Sequence, residues 1–167
     1  MRRFVAAIAI SLIASPSVAE TAENEDEYVY TEQDRLKDAA IKSAFGRMFS
    51  ERLLQEGGIA TNFECSESNC IGEAAGLQFR VNPKGIEVAL SYAADPADLD
   101  AACIAAMRMW RNDLNPEMGR RLLEEAVAKK NSSGYREARV AIPGMSLWIE
   151  ELDDPRLVRC RTFPQAD

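Results

Sequence analysis

Leu77-Gln-Phe-Arg-Val-Asn-Pro-Lys-Gly-Ile-Glu-Val-Ala-Leu-Ser-Tyr92 decides the fold class. Leu77, Phe79 and Val81 alternate with Gln78 and Arg80. Asn82-Pro-Lys-Gly85 supplies turn residues, and Ile86, Val88, Leu90 and Tyr92 resume the alternation against Glu87, Ala89 and Ser91. Period-two alternation on both sides of a tight turn is the pattern of a β-hairpin. One apolar and one polar face mean that the hairpin lies on a core with one side and meets water with the other.

The neighbouring segments fit the same sheet. Upstream, Thr61–Cys65 and Cys70–Ile71 read as short strands flanking Ser66-Glu-Ser-Asn69. Before them, Thr31 with Asp34 resembles a capping arrangement. Leu36, Ala40, Ile41, Ala44, Phe45, Met48, Phe49 and Leu53 recur at helical spacing, with Phe45, Met48 and Phe49 expected to pack in the core, until Gly57-Gly58 ends the run. Gly46 inside that helix marks a close packing contact.

Downstream, Asp95-Pro96 opens a second helix whose inner face is Leu99, Ala102, Cys103, Ala106, Met107 and Trp110. Asn115-Pro116 opens a third, with Met118, Leu122, Leu123, Ala126 and Val127 as its apolar positions, and Asn131-Ser-Ser-Gly134 stops it. Three strands follow, over Arg136–Ile142, Met145–Glu150 and Leu157–Phe163. In the last of them Val158, Cys160 and Thr162 share one face. Hairpins clustered between helices predict an α+β fold, an antiparallel sheet of about five to six strands with two to three helices packed on one face.

The chain has 167 residues, 47% hydrophobic and 28% charged, enough apolar material to bury a core. It has no His. That excludes Ser-His-Asp and Cys-His nucleophiles and every His-ligated metal site. Phosphate-binding glycine loops, a Gly-X-Ser-X-Gly frame and a Ser-X-X-Lys dyad are absent from the sequence as well.

Arg2 and Arg3, the apolar run from Phe4 to Ile13, and Ser17-Val-Ala19 form a three-part secretory signal with cleavage expected before Glu20. The run is too short to span a membrane, which needs about 20 apolar residues. The expected organisation is a signal peptide over 1–19, an acidic leader over 20–30 and one disulfide-stabilised domain over 31–167. The expected location is the periplasm or the medium, with no membrane anchor left after cleavage. Removing 19 residues from 167 leaves 148, with 18 basic and 27 acidic residues and a net charge of −9. Such a balance argues against a nucleic-acid partner. Asn131-Ser-Ser133 has the form of a glycosylation acceptor and reads more simply as a polar helix end.

Cys65, Cys70, Cys103 and Cys160 are an even set in an exported chain, which points to disulfides. The spacing favours Cys65 with Cys70, closing a hairpin tip, and Cys103 with Cys160, pinning the second helix to the last strand. The four residues between Cys65 and Cys70 do not match the Cys-X-X-Cys redox pattern.

Few side chains stand out as chemical candidates. Glu150, Glu151, Asp153 and Asp154 crowd one turn and Asp95, Asp98 and Asp100 another; the second group is accounted for by helix capping. Cys65-Ser-Glu-Ser-Asn-Cys70 on an exported chain resembles the cysteine-closed loop of the periplasmic Ivy-type inhibitors of lysozyme. The resemblance implies a rigid tip that enters an enzyme cleft, with Glu67 and Asn69 as contact residues; that family's loop uses a His, which this chain lacks. Trp148 shares a strand face with Ser146 and Glu150 and is a candidate anchor for a partner.

The functional expectation is non-catalytic binding to an envelope protein or glycan, as an inhibitor or accessory factor, with neither metal nor organic cofactor. One alternative is a His-free envelope hydrolase using carboxylates of the Glu150–Asp154 region. Another is a subunit of an envelope or secretion assembly, docking through Tyr28, Tyr30 or the acidic leader.

Overall fold

Each helix begins where its cap residue dictates. In the computed structural model, which describes residues 31–90, 94–152 and 158–165, helix α1 spans Glu32–Gly57. Thr31 and Asp34 form a reciprocal capping box at its start, and Gly58, left-handed at φ 67°, closes its end. Helix α2, Pro96–Trp110, is capped by Asp95, whose side chain accepts from the Ala97 amide. Helix α3, Pro116–Ser133, is capped by Asn115 accepting from the Met118 amide and ends at left-handed Gly134.

Seven strands form one antiparallel sheet: β1 Glu64–Cys65, β2 Cys70–Ala74, β3 Leu77–Asn82, β4 Gly85–Leu90, β5 Glu137–Ile142, β6 Met145–Glu151 and β7 Val158–Pro164. Their order is β1-β2-β3-β4-β7-β6-β5. Two meanders, β1 to β4 and β5 to β7, therefore join edge to edge through β4 and β7. Every pairing is antiparallel.

The fold is α+β as the hairpin pattern required, but the sheet has seven strands where five to six were expected. Strand boundaries also differ, most of all around the first cysteines. The segment expected as Thr61–Cys65 is a strand only at Glu64–Cys65, and β2 runs on to Ala74. It turns into β3 through Ala75-Gly76, both at positive φ (52° and 72°). Asn-Gly would have announced such a turn, and Ala-Gly does not.

The apolar side of the sheet carries the core. Leu77, Phe79, Val81, Ile86, Val88, Leu147, Ile149 and Cys160 are all buried there. The helices meet these residues. Phe49 of α1 sits edge-on to Phe79 at 6.0 Å, Cys103 of α2 is bonded to Cys160, and the Trp110 indole donates to the Thr162 hydroxyl at 2.9 Å. Helix α3 lies against β5 and β6.

Met48, expected in the core, is exposed, and the apolar repeats of α1 and α3 are wider than their buried faces. In α1 only Gly46, Phe49 and Leu53 are buried, while Leu36, Ile41 and Met48 are more than half exposed. In α3 Met118 and Val127 also face outward. An apolar repeat of this width covers more of the helix than the sheet touches. Gly46 does mark a close contact: a Cβ there would lie 3.2 Å from the Cys70 sulfur.

Candidate functional site

Side chains on the polar face of the sheet line up across the strands because antiparallel register brings them opposite one another. One row runs Ile71, Arg80, Glu87, Arg161, Trp148, Arg139 from β2 to β5. The next row holds Glu73, Gln78, Ala89, Arg159, Glu150 and Glu137. Alternation alone places all of them away from the core.

The centre of this face is a closed ionic cluster. Arg159 bonds Glu150 at 2.7 Å and Glu87 at 3.2 Å. Arg161 bonds Glu87 at 3.0 Å and lies 3.7 Å from Glu150. Two cations and two anions satisfy each other. Partial burial works against the Arg159 charge, but the hydrogen bonds and charges of Glu150 and Glu87 outweigh it and hold its pKa above the ordinary value.

Toward the turn between β3 and β4 the balance changes. A shallow cleft of about 240 Å³ is lined by Arg80, Asn82, Lys84, Gly85, Arg161 and Phe163. The Arg80 and Lys84 side chains are exposed and, among the described residues, have no hydrogen bond or ion pair. Glu87 also lines the cleft, and both of its carboxylate oxygens are already held by Arg159 and Arg161.

The cleft is rigidly built. Phe163 packs over Gly85 so closely that a Cβ at Gly85 would stand 2.9 Å from the ring. Trp148 meets Phe163 edge-on at 6.0 Å. The Asn82 side chain accepts from the Lys84 amide at 2.8 Å and donates to the Asn69 side chain at 2.8 Å. The turn that carries Lys84 is thereby tied to the Cys65–Cys70 loop.

The residues singled out in the sequence fall as follows. Cys65 is bonded to Cys70 and Cys103 to Cys160, with no free cysteine. The Glu67 carboxylate pairs with Arg35, the Glu67 carbonyl accepts from Lys42, and Asn69 is half-buried against Asn82. The loop is thus anchored to α1 and β3 by the residues expected to reach a partner.

Trp148 is half-buried, with the Arg139 guanidinium 5.7 Å from its ring centroid, and its indole N–H is buried without a partner among the described residues. Glu150 belongs to the ionic cluster, and Glu151 bonds Lys130 at 2.7 Å. That bond holds the Glu151 carboxyl below its ordinary range, the reverse of what a general acid needs. Asp153, Asp154, Tyr28, Tyr30, Tyr92, the signal segment and the leader lie outside the described residues.

Among the described residues no group of three or more Cys, Asp or Glu side chains is placed to hold a metal ion. No described helix is long and apolar enough to cross a membrane. No family model, curated protein or solved structure matches the chain.

Arg80 and Lys84 were not singled out in the sequence. Both stand in the hairpin that decided the fold, but their significance depends on which cations lack partners. Glu87 takes its partners from 72 and 74 residues further on. No local pattern announces that these will be Arg159 and Arg161 and not Arg80.

Proposed function

We propose that the protein is exported to the periplasm or the medium and acts by binding, with the polar face of the sheet as its binding surface. One observation carries this reading. In an acidic chain of net charge −7, Arg80 and Lys84 stand unpaired beside a cluster in which every other charge is satisfied. Unpaired cations fixed at a cleft attract an anionic partner and set its orientation. The two disulfides support an oxidising compartment. The carboxylate hydrolase reading finds no support in Glu150 and Glu151, both of which are ion-paired.

The test is retention on bacterial envelopes. Full-length protein is expressed in a bacterium, and the N-terminus of the exported form is read by mass spectrometry, with Glu20 expected first. That form is then co-sedimented with isolated envelopes. Arg80→Glu with Lys84→Glu should abolish retention. The charge-matched pair Arg120→Glu with Arg121→Glu on the exposed side of α3 should leave it unchanged. Equal retention of both variants, or no retention of the parent, refutes the reading.

A further inference from the structure

We propose that the cleft at Arg80, Lys84 and Phe163 takes a carboxylate-bearing sugar, one residue of an acidic glycan. The proposal rests on the reading of the polar face as the binding surface and names what that surface recognises.

The sign of the ligand follows from the charges already described. Glu87 is saturated by Arg159 and Arg161, so the cleft offers Arg80 and Lys84 with nothing to neutralise them. A guanidinium fork matches a carboxylate through two parallel hydrogen bonds, and an adjacent ammonium adds a point charge. The chain as a whole repels dense polyanions, since its net charge is −7. A single carboxylate-bearing ring brings one negative charge to the two free cations, and charge carried elsewhere on the glycan must lie away from the acidic remainder.

The ring follows from the wall of the cleft. Phe163 is half-buried, has no polar tip, and is fixed between Gly85 and Trp148. A fixed aromatic face with a few convergent polar groups suits a ligand with one apolar side and one charged substituent. A volume of about 240 Å³ holds one ring-sized group and falls below the roughly 300–1,000 Å³ of pockets for larger ligands.

An acidic peptide would supply the same carboxylates. Extended peptides commonly gain affinity by pairing with a sheet edge. Here β3, β4 and β7 are interior strands, hydrogen-bonded on both sides. A peptide over this cleft would have no main-chain partner. Rigid mounting lowers the ordering cost of the interaction: Asn82 fixes the Lys84 turn to the Asn69 loop, which the Cys65–Cys70 bond closes.

The experiment is titration of the exported protein, isotopically labelled, with tetragalacturonate, its methyl ester and pentaglutamate, followed by amide chemical shifts and calorimetry. Tetragalacturonate is expected to bind and shift Arg80, Lys84, Gly85 and Phe163. Arg80→Ala with Lys84→Ala should weaken it by about tenfold or more, the scale of losing charge-assisted bonds. Both sites are exposed, so the melting temperature should stay that of the parent. Phe163→Leu, which keeps an apolar filler over Gly85, should weaken binding while leaving the charges in place.

Equal binding of the methyl ester overturns the carboxylate, and equal binding of pentaglutamate overturns the sugar. Unchanged binding by the double variant overturns the location. Absence of binding to all three probes overturns the ligand class. Envelope retention uses no defined ligand, so its persistence then shows that the binding surface stands and only the sugar assignment has fallen.

Discussion

The two disulfides are built alike and used differently. Cys103–Cys160 joins residues 57 apart in sequence, with both cysteines fully buried, and fastens α2 to the interior strand β7. Cys65–Cys70 joins residues five apart on paired strands, with Cα atoms 3.9 Å from each other. Its outer cysteine is exposed and its inner one rests on Gly46 of α1. The first bond crosslinks the fold. The second shapes a surface: it closes the loop whose Asn69 holds Asn82, and Asn82 holds the turn that presents Lys84. A covalent bond in a small protein can therefore serve stability or presentation, and the deciding variables are loop length and burial.

Removing the long bond should have the largest effect. In the chain-entropy account a loop of this length is worth about 4 kcal/mol, and the short one about 2. Cys103→Ala with Cys160→Ala should lower the unfolding free energy in urea by about 4 kcal/mol, and by more where the lost sulfurs leave space in the core. Cys65→Ala with Cys70→Ala should lose about 2 kcal/mol. Equal losses would erase the contrast. Reduction separates the bonds in another way. Without denaturant, dithiothreitol should open Cys65–Cys70 first, because Cys103 and Cys160 are inaccessible until the core opens. Mass spectrometry after alkylation reads the order, and simultaneous labelling of all four thiols would contradict it.

Both bonds were legible in the sequence, for different reasons. Cys65-Ser-Glu-Ser-Asn-Cys70 is a local signal, four polar residues between two cysteines. The partner of Cys103 followed by elimination and from the inward face shared by Cys160 and Thr162. The caps at Thr31, Asp95 and Asn115 and the Leu77–Leu90 hairpin were equally plain, since one residue type at one position carries each of them. The outer side of α1 was not legible. Its apolar residues number more than the sheet can cover, and periodicity does not say which stripe the strands will meet. The cleft was hidden for a related reason. An unpaired cation is a statement about every possible partner, and those of Arg80 lie across a seven-stranded sheet.

The junction around the long bond contains a polar contact that sharpens the comparison at smaller scale. Trp110 of α2 donates to Thr162, two residues beyond Cys160. Thr162→Val keeps the shape and leaves the half-buried indole N–H without its acceptor. The expected loss is about 1 kcal/mol in the same urea experiment. At the short bond, Gly46→Ala tests packing in place of polarity. The added Cβ would stand 3.2 Å from the Cys70 sulfur, so the loop must yield by a few tenths of an ångström. Alanine's higher helix propensity, worth up to about 1 kcal/mol, works the other way. The net change should be small, and the amide shifts of the loop should move more than the stability does. A large loss would mean that the loop is as rigidly bound to the core as Cys160.

The smallest expected effect is electrostatic and lies one turn before Cys103. The Asp100 carboxyl is pushed above its ordinary value by partial removal from water, with Glu124 adding to the shift and Arg120 opposing it. A raised carboxylate pKa means that folding disfavours the charged form, so the penalty is present above the folded-state pKa and disappears as the pH falls through it toward the unfolded value. Asp100→Asn should therefore melt slightly higher than the parent at pH 7, by a change within the about 0.5 kcal/mol of ordinary surface substitutions, and the gap should close in acid. Glu151 has the opposite sign. Lys130 holds its pKa down, so its contribution is present above the unfolded pKa and lost as the pH falls through the folded one. Glu151→Gln should thus melt lower than the parent at neutral pH and converge with it in acid. Melting curves of the three proteins between pH 7 and pH 3 check both signs at once. An Asp100→Asn variant that melts below the parent at neutral pH would show that Arg120 outweighs the loss of water, and that the Cys103 end of α2 is held by charge as well as by its disulfide.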